Sequence, residues 1–297
     1  MTRPRLINFA VIIRVLTMSI VWLVLLSWFL NAYRSGCGTA LLVFAVISLF
    51  LLMAGFEAAF LRRRALYNEF VSDDDHVFDL FHNLILTGLR ELIFGLILAM
   101  FLLIGVLVFE PRQWSLLFAD LLVMTLLIPR FALSMSNRVR EPYRFAMARQ
   151  SAMWLSILLL WSEALMVLTL SPREHYIGMR WQEVVTYGVA QPDLSCPIVA
   201  QLANIFVVGQ ALAMWAVQNA TRVMNDPTQA IMVWVGFFIL FSFTFMVARA
   251  FSQALIGVMG RPWELWSSPT KNAAYDAAAT PSTKRTKRTR RNWNQPV

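Results

Sequence analysis

Long runs of apolar residues, separated by short polar segments, dominate the chain. Each run has about the 20 residues that a helix needs to cross the hydrocarbon core of a bilayer. The runs lie near 11–33, 39–61, 89–109, 114–133, 151–170, 198–217 and 230–251. Because only helices satisfy their own backbone groups in hydrocarbon, and no alternating strand pattern occurs, we predict an all-α, polytopic transmembrane helical bundle over residues 1–266.

The composition supports a membrane protein over a soluble one. Apolar residues make up 58% and charged residues 14% of the chain, against roughly 45–50% and about 25% in soluble domains. The net charge of +9 would indicate nucleic-acid binding in a soluble protein. Here the basic residues lie between the apolar runs and in the tail, where they set membrane orientation, so we expect lipid partners and no nucleic acid.

The distribution of arginines predicts the threading. Placing the N-terminus in the cytoplasm puts the Arg62–Arg64 triplet and the arginines of 138–149 on the inside, as the positive-inside rule requires. The first run exceeds a signal-peptide core and has no cleavage pattern after it, so we expect a retained first span. We therefore predict a multi-pass protein of a bacterial inner membrane.

The run 198–217 decides the side of the tail. The basic stretch 267–297 has no apolar period and is expected to be disordered and cytoplasmic. Seven spans would place it outside. The run 198–217 carries Gln201, Asn204 and Gln210, so we favour six spans with this segment re-entrant or interfacial, and keep seven as the alternative.

Four charged residues fall within the apolar runs: Asp120, Glu163, Arg249 and Glu57. Ionised groups at membrane depth are costly, so they usually face a bundle interior, pair with one another or line a polar path. A proton or cation path through Asp120 and Glu163 is one hypothesis. The alternatives are that a carboxylate pairs with Arg249 or Arg180 to hold helices together, or that it contacts a helix of a partner subunit.

The segment 72–82 contains the only arrangement that resembles a metal site. Asp75, Asp79 and His82 share a helical face and could bind a divalent ion. Ser72 as an N-cap, followed by acidic residues in a first helical turn, explains the same pattern without a metal. We therefore expect neither a metal nor another cofactor.

Two cysteines, Cys37 and Cys196, fall in predicted outer loops. An oxidising exterior would allow them to form a disulfide, although two free cysteines remain the alternative. The tail holds a second candidate feature, a basic cluster suited to lipid headgroups or a docking partner. Its residues are Lys284, Arg285, Lys287, Arg288, Arg290 and Arg291.

An apolar stretch 121–128, an Arg-rich loop with the step Arg140-Glu141, and an apolar span ending at Leu170-Ser171-Pro172 follow one another. This part of the chain resembles the last helical hairpin of membrane proteins encoded by integrating conjugative elements. The resemblance implies a subunit of a transfer apparatus that contacts other membrane-protein subunits. It implies no site residues.

Three functions are compatible with these patterns. The leading hypothesis is a non-enzymatic integral membrane subunit of a multi-protein envelope assembly, such as a conjugation or secretion system. The second is a small-solute or proton-coupled transporter that uses Asp120 and Glu163. The third is an intramembrane or lipid-modifying enzyme, which no catalytic motif supports, so we assign no catalytic residue.

Overall fold

The computed structural model of the protein describes most of the chain. The described residues are 4–70, 84–109, 111–136, 139, 143–170, 176–187, 194–220, 222 and 226–260. The candidate metal segment with Asp75, Asp79 and His82 lies outside them, as does the basic tail with its cluster 284–291.

Eight α-helices form the described part of the chain. They are α1 (Pro4–Asn31), α2 (Cys37–Phe70), α3 (Leu84–Gly105), α4 (Pro111–Ser134), α5 (Tyr143–Leu170), α6 (Trp181–Tyr187), α7 (Pro197–Asn219) and α8 (Pro227–Gly257). One 3-10 turn, Val106–Val108, follows α3. No strand occurs among the described residues, and the predicted all-α class is confirmed.

Six of these helices are long and apolar enough to cross a membrane, counting only described residues. Their apolar stretches are Ile12–Asn31, Cys37–Arg62, Leu86–Val108, Arg112–Ser134, Pro197–Asn219 and Pro227–Gly257. This set includes α7, which the sequence pattern left in doubt, and omits α5, which carries Arg144, Arg149 and Glu163. Helix α5 has 28 residues, or about 42 Å, which is ample for a bilayer. Composition therefore does not decide whether α5, α7 or both cross the membrane.

A disulfide marks one end of the bundle. Cys37 at the start of α2 is bonded to Cys196 just before α7, with 4.8 Å between their Cα atoms. The Ser195 hydroxyl also donates a 2.6 Å hydrogen bond to the carbonyl of Tyr33, which follows α1. We call this the disulfide end, and the end where Arg149 of α5 pairs with Glu57 of α2 the opposite end.

Both ends of α7 contact segments at the disulfide end. Its start is tied to Cys37. Its last residue, Asn219, donates to the carbonyl of Tyr176 at 2.9 Å and accepts from the backbone N–H of Gly178 at 3.0 Å. Those residues come shortly after α5 has reached the disulfide end. Helix α7, about 35 Å long, thus runs from the disulfide to the segment that follows α5.

Helix α8 runs from the disulfide end to the opposite end. Asp226 caps its start by accepting from the N–H of Thr228. The Thr228 hydroxyl and the Gln229 side chain also donate to the Asp226 carboxylate, and these hydrogen bonds lower its pKa. Its far end lies against the backbone of Phe50, where Gly257 leaves no room for a Cβ atom. Gly260 then lies beside Glu57. The six-crossing threading, with α5 crossing and α7 not, stays a prediction.

A separate apolar cluster lies at the disulfide end. It joins α6, the second half of α7 and the first half of α8 around the fully buried Trp215, and we call it the cap. The Trp215 indole N–H donates to the carbonyl of Met179 at 2.8 Å. Gly236 of α8 packs closely against Leu212 and Ala216 of α7. The cap therefore holds α7 and α8 together as a hairpin beyond the main core.

The helix directions predict which residues share a side of the membrane. Cysteines placed at Arg34 and Arg222 should react with a membrane-impermeant maleimide from one side of oriented vesicles, and a cysteine at Ser136 from the other. The native cysteines should not react, because they are bonded to each other. If R222C and S136C reacted from the same side, α7 would have to cross.

Candidate functional site

Three polar side chains meet in the middle of the bundle. Asp120 of α4 is 6% exposed, and Ser156 of α5 and Ser252 of α8 are fully buried. The Ser156 hydroxyl donates to Asp120 Oδ2 at 2.7 Å. The two serine Oγ atoms are also 2.7 Å apart, and Ser252 Oγ lies 2.9 Å from the carbonyl of Ala248. A carboxyl group, two hydroxyls and a carbonyl thus form one hydrogen-bonded chain.

Glu163 lies two helical turns from Ser156 on α5, in a cleft at the disulfide end. The cleft has a volume of about 80 Å³. Its polar lining comprises Gln113, Glu163, Gln210 and Thr244. Its apolar walls include the rings of Phe109, Phe243 and Phe251. Within the described part of the chain, no basic side chain lies within ion-pair distance of Glu163.

An ion pair occupies the opposite end. Arg149 of α5 donates to Oε1 of Glu57 through both Nε, at 2.9 Å, and a terminal nitrogen, at 2.8 Å. Glu57 has no exposed surface, and the Arg149 side chain is only 13% exposed. Arg149, Ser156 and Glu163 are spaced seven residues apart, which places them along one face of α5. That face carries polar groups from the ion pair through the centre to the cleft.

A second group of charges surrounds Glu91 of α3 near the opposite end. Arg90 donates to its carboxylate at 2.6 Å, and Arg62 of α2 lies 3.5 Å away. The other carboxylate oxygen lies over Gly55, where a Cβ atom would come within 2.7 Å of it. Arg249 of α8 is within electrostatic range of Glu91. Among the described residues, no ion pair joins Arg249 to Asp120 or Glu163, and the carboxylate that acts on it is Glu91.

The structure places Glu163, the serine that binds Asp120 and the arginine that binds Glu57 on one face of α5, and it places Arg249 within electrostatic range of Glu91. The site also contains Ser156, Ser252 and Arg149, which were not predicted from the sequence. The seven-residue spacing of polar positions on α5 could have identified Arg149 and Ser156. No such signal identified Ser252, because isolated serines are common in membrane helices and hydrogen-bond back to their own helix. No group of three His, Cys, Asp or Glu side chains suited to a metal occurs among the described residues.

Comparison with known proteins yields no relative: no family model, curated protein or solved structure is similar to this chain. The likeness of residues 121–172 to membrane proteins of integrating conjugative elements therefore stays a prediction. Function has to be argued from the site.

Replacing Ser156 with alanine should destabilise the protein by about 1–3 kcal/mol, because Asp120 would lose its buried hydrogen-bond donor. The free energy of unfolding can be measured by titration from mild detergent into a denaturing one. Ser162→Ala is the matched control, since that exposed hydroxyl on the same helix bonds only to Leu159 of its own helix. Equal unfolding midpoints for S156A and S162A would contradict a structural role for the chain of hydrogen bonds.

Replacing Arg149 with glutamine should destabilise the protein by about 3–5 kcal/mol, because the fully buried Glu57 would lose the two charged hydrogen bonds that Arg149 donates to it. The double variant E57Q/R149Q should recover part of this loss, since it leaves no buried charge. The same unfolding titration measures both. If the losses from E57Q and R149Q simply added in the double variant, the two residues would not act as a pair.

Proposed function

We propose that this protein is an integral membrane transporter that moves protons together with a small solute, using Asp120 and Glu163. The observation that carries the proposal is the polar face through the bundle. It runs from the cleft with Glu163, through Asp120, Ser156 and Ser252, to the ion pair at the opposite end. Ionisable groups inside membrane helices are expensive and usually mark ion or substrate pathways.

The central hydrogen-bonded chain accommodates Asp120 in either protonation state. When Asp120 is ionised, Ser252 donates to Ser156, and Ser156 donates to the carboxylate. When Asp120 is protonated, it donates to Ser156, which donates to Ser252, which donates to the carbonyl of Ala248. Every hydroxyl keeps a partner in both cases, so a proton can arrive or leave without stranding a buried polar group.

In this proposal, protons reach the chain of hydrogen bonds from one side. The cleft with Glu163 lies toward the disulfide end from Ser156, whereas the buried pair of Arg149 and Glu57 closes the opposite end. A transporter must alternate which side is open. In this proposal the pair separates when the cleft closes, and Glu57 and Arg149 form the gate at the opposite end.

We further propose that the opposite end faces the cytoplasm and that the protein lies in a bacterial inner membrane. Two observations support this. The disulfide of Cys37 and Cys196 requires an oxidising compartment at the disulfide end. The arginines near Glu91 and Glu57 gather at the opposite end, as the positive-inside rule requires. The N-terminus and the tail after Gly260 then both lie in the cytoplasm.

A subunit of an envelope assembly, such as a conjugation or secretion system, is the second candidate. Ile231, Trp234 and Phe238 form an exposed apolar row on the first half of α8, beyond the main core. Such a row suits a partner helix as well as lipid. The enzyme hypothesis has less support, because the serines beside Asp120, Ser156 and Ser252, are fully buried.

Proton movement tests the proposal directly. The purified protein is placed in vesicles of phosphatidylethanolamine and phosphatidylglycerol that contain a pH-sensitive dye, and a negative-inside potential is imposed. We expect the wild type to acidify the lumen, and D120N and E163Q to remain at the rate of protein-free vesicles. E183Q is the matched control, because Glu183 is an exposed carboxylate of the cap outside the cleft.

Wild-type vesicles that acidify no faster than protein-free ones would overturn a proton path through Asp120. So would D120N vesicles that acidify as fast as the wild type. In either case, recovery of the protein with stoichiometric membrane-protein partners from mild detergent would favour the assembly subunit.

A further inference from the structure

We infer that the cleft at the disulfide end binds a small organic ammonium ion, with its charge at Glu163 and its apolar part against phenylalanine rings. This inference rests on the proposed function and specifies the class of solute. The charge, the apolar walls and the size of the cleft support it.

The charge of the cleft selects a cation. Glu163 is half-buried among apolar side chains, and no described arginine or lysine neutralises it. Arg112, one residue before Gln113 on α4, is exposed. Asp120, which is also acidic, is within electrostatic range of Glu163. An anion would therefore be repelled, and a cation would remove the cost of holding a carboxylate in apolar surroundings.

The walls favour an organic cation over a metal ion. Magnesium and calcium ions need about six or more oxygen ligands around them, whereas the cleft offers four polar side chains, only one of them charged, among mostly apolar groups. Phe109, Phe243 and Phe251 line it instead. Aromatic faces attract ammonium groups most strongly in desolvated sites. Phe243 is held in place by Phe206, whose ring centre is 4.6 Å away.

The remaining polar groups suit an ammonium that carries N–H donors. Gln113 and Gln210 line the cleft with amide groups, and Thr244 contributes a hydroxyl. Because Thr244 donates its proton to the carbonyl of Leu240 at 2.7 Å, its oxygen can only accept from a ligand. At about 80 Å³, the cleft has room for a few water molecules or a short alkyl chain.

Helix α7 completes the cleft and ties it to the rest of the bundle. Gln210 comes from α7, whose start is fixed by the disulfide to α2. Ala164 follows Glu163 on α5 and lines the cleft. A larger apolar residue at this position would therefore fill the cleft without changing its charge.

Calorimetric titration of the purified protein in detergent with n-butylammonium chloride tests the inference. We expect saturable binding by the wild type, at least tenfold weaker binding by E163Q, and no change in E183Q. Sodium chloride and neutral butanol should give no saturable signal. A164L should lose binding while it keeps Glu163, which separates loss of space from loss of charge. Helical circular dichroism and elution volume verify that each variant is folded.

The outcomes distinguish this site from the transport proposal. D120N should bind butylammonium within about threefold of the wild type while it fails to move protons, because Asp120 does not line the cleft. Equal binding by wild type, E163Q and A164L, or no saturable binding by the wild type, would overturn the ammonium site. Saturable binding together with a wild type that moves no protons would retain the site and reject transport.

Discussion

The hydrogen bond from Ser156 to Asp120 determines how the middle of the bundle is arranged. Hydrocarbon offers no partner to a carboxyl group, so α4 must face α5 at this level, and Ser252 brings α8 to the same place. Large apolar side chains such as Phe251 and Leu121 then fill the space around these contacts. The polar contacts specify which helices meet, and the apolar packing supplies most of the contact area.

Much of the fold follows from the sequence because the membrane restricts the choices. Apolar runs of about twenty residues have to be helices, and the arginine-rich loops indicate which ends lie together. Asp120, Glu163 and Glu57 could be selected for the same reason, since each is a charge where charges are expensive. The side chains that bind these carboxylates, such as Ser156 and Arg149, could not be selected in this way. Whether Ser252 faces Asp120 or its own helix depends on how α8 is rotated, and a hydrophobic run carries little information about rotation.

Helices α5 and α7 show why hydropathy alone cannot thread this chain. Helix α5 is polar for a crossing helix because one face of it carries Arg149, Ser156 and Glu163, which are satisfied by neighbours. Helix α7 is apolar enough to cross, and its position is fixed by the bond of Cys196 to α2 and by the hydrogen bond of Asn219 to the segment that follows α5. Hydropathy measures the cost of meeting lipid, whereas these two helices are placed by their tertiary contacts.

The disulfide also has a topological consequence. Cys37 and Cys196 are separated by 159 positions, so their bond closes a covalent ring that contains α2 to α6 and excludes α1, α7 and α8. One cut of the backbone anywhere within that ring leaves the two pieces joined until the disulfide is reduced. The helices that carry Glu57, Glu91, Asp120 and Glu163 all belong to the ring. These four carboxylates thus belong to a single macrocycle, onto which α8, with Ser252, is docked without any bridge of its own.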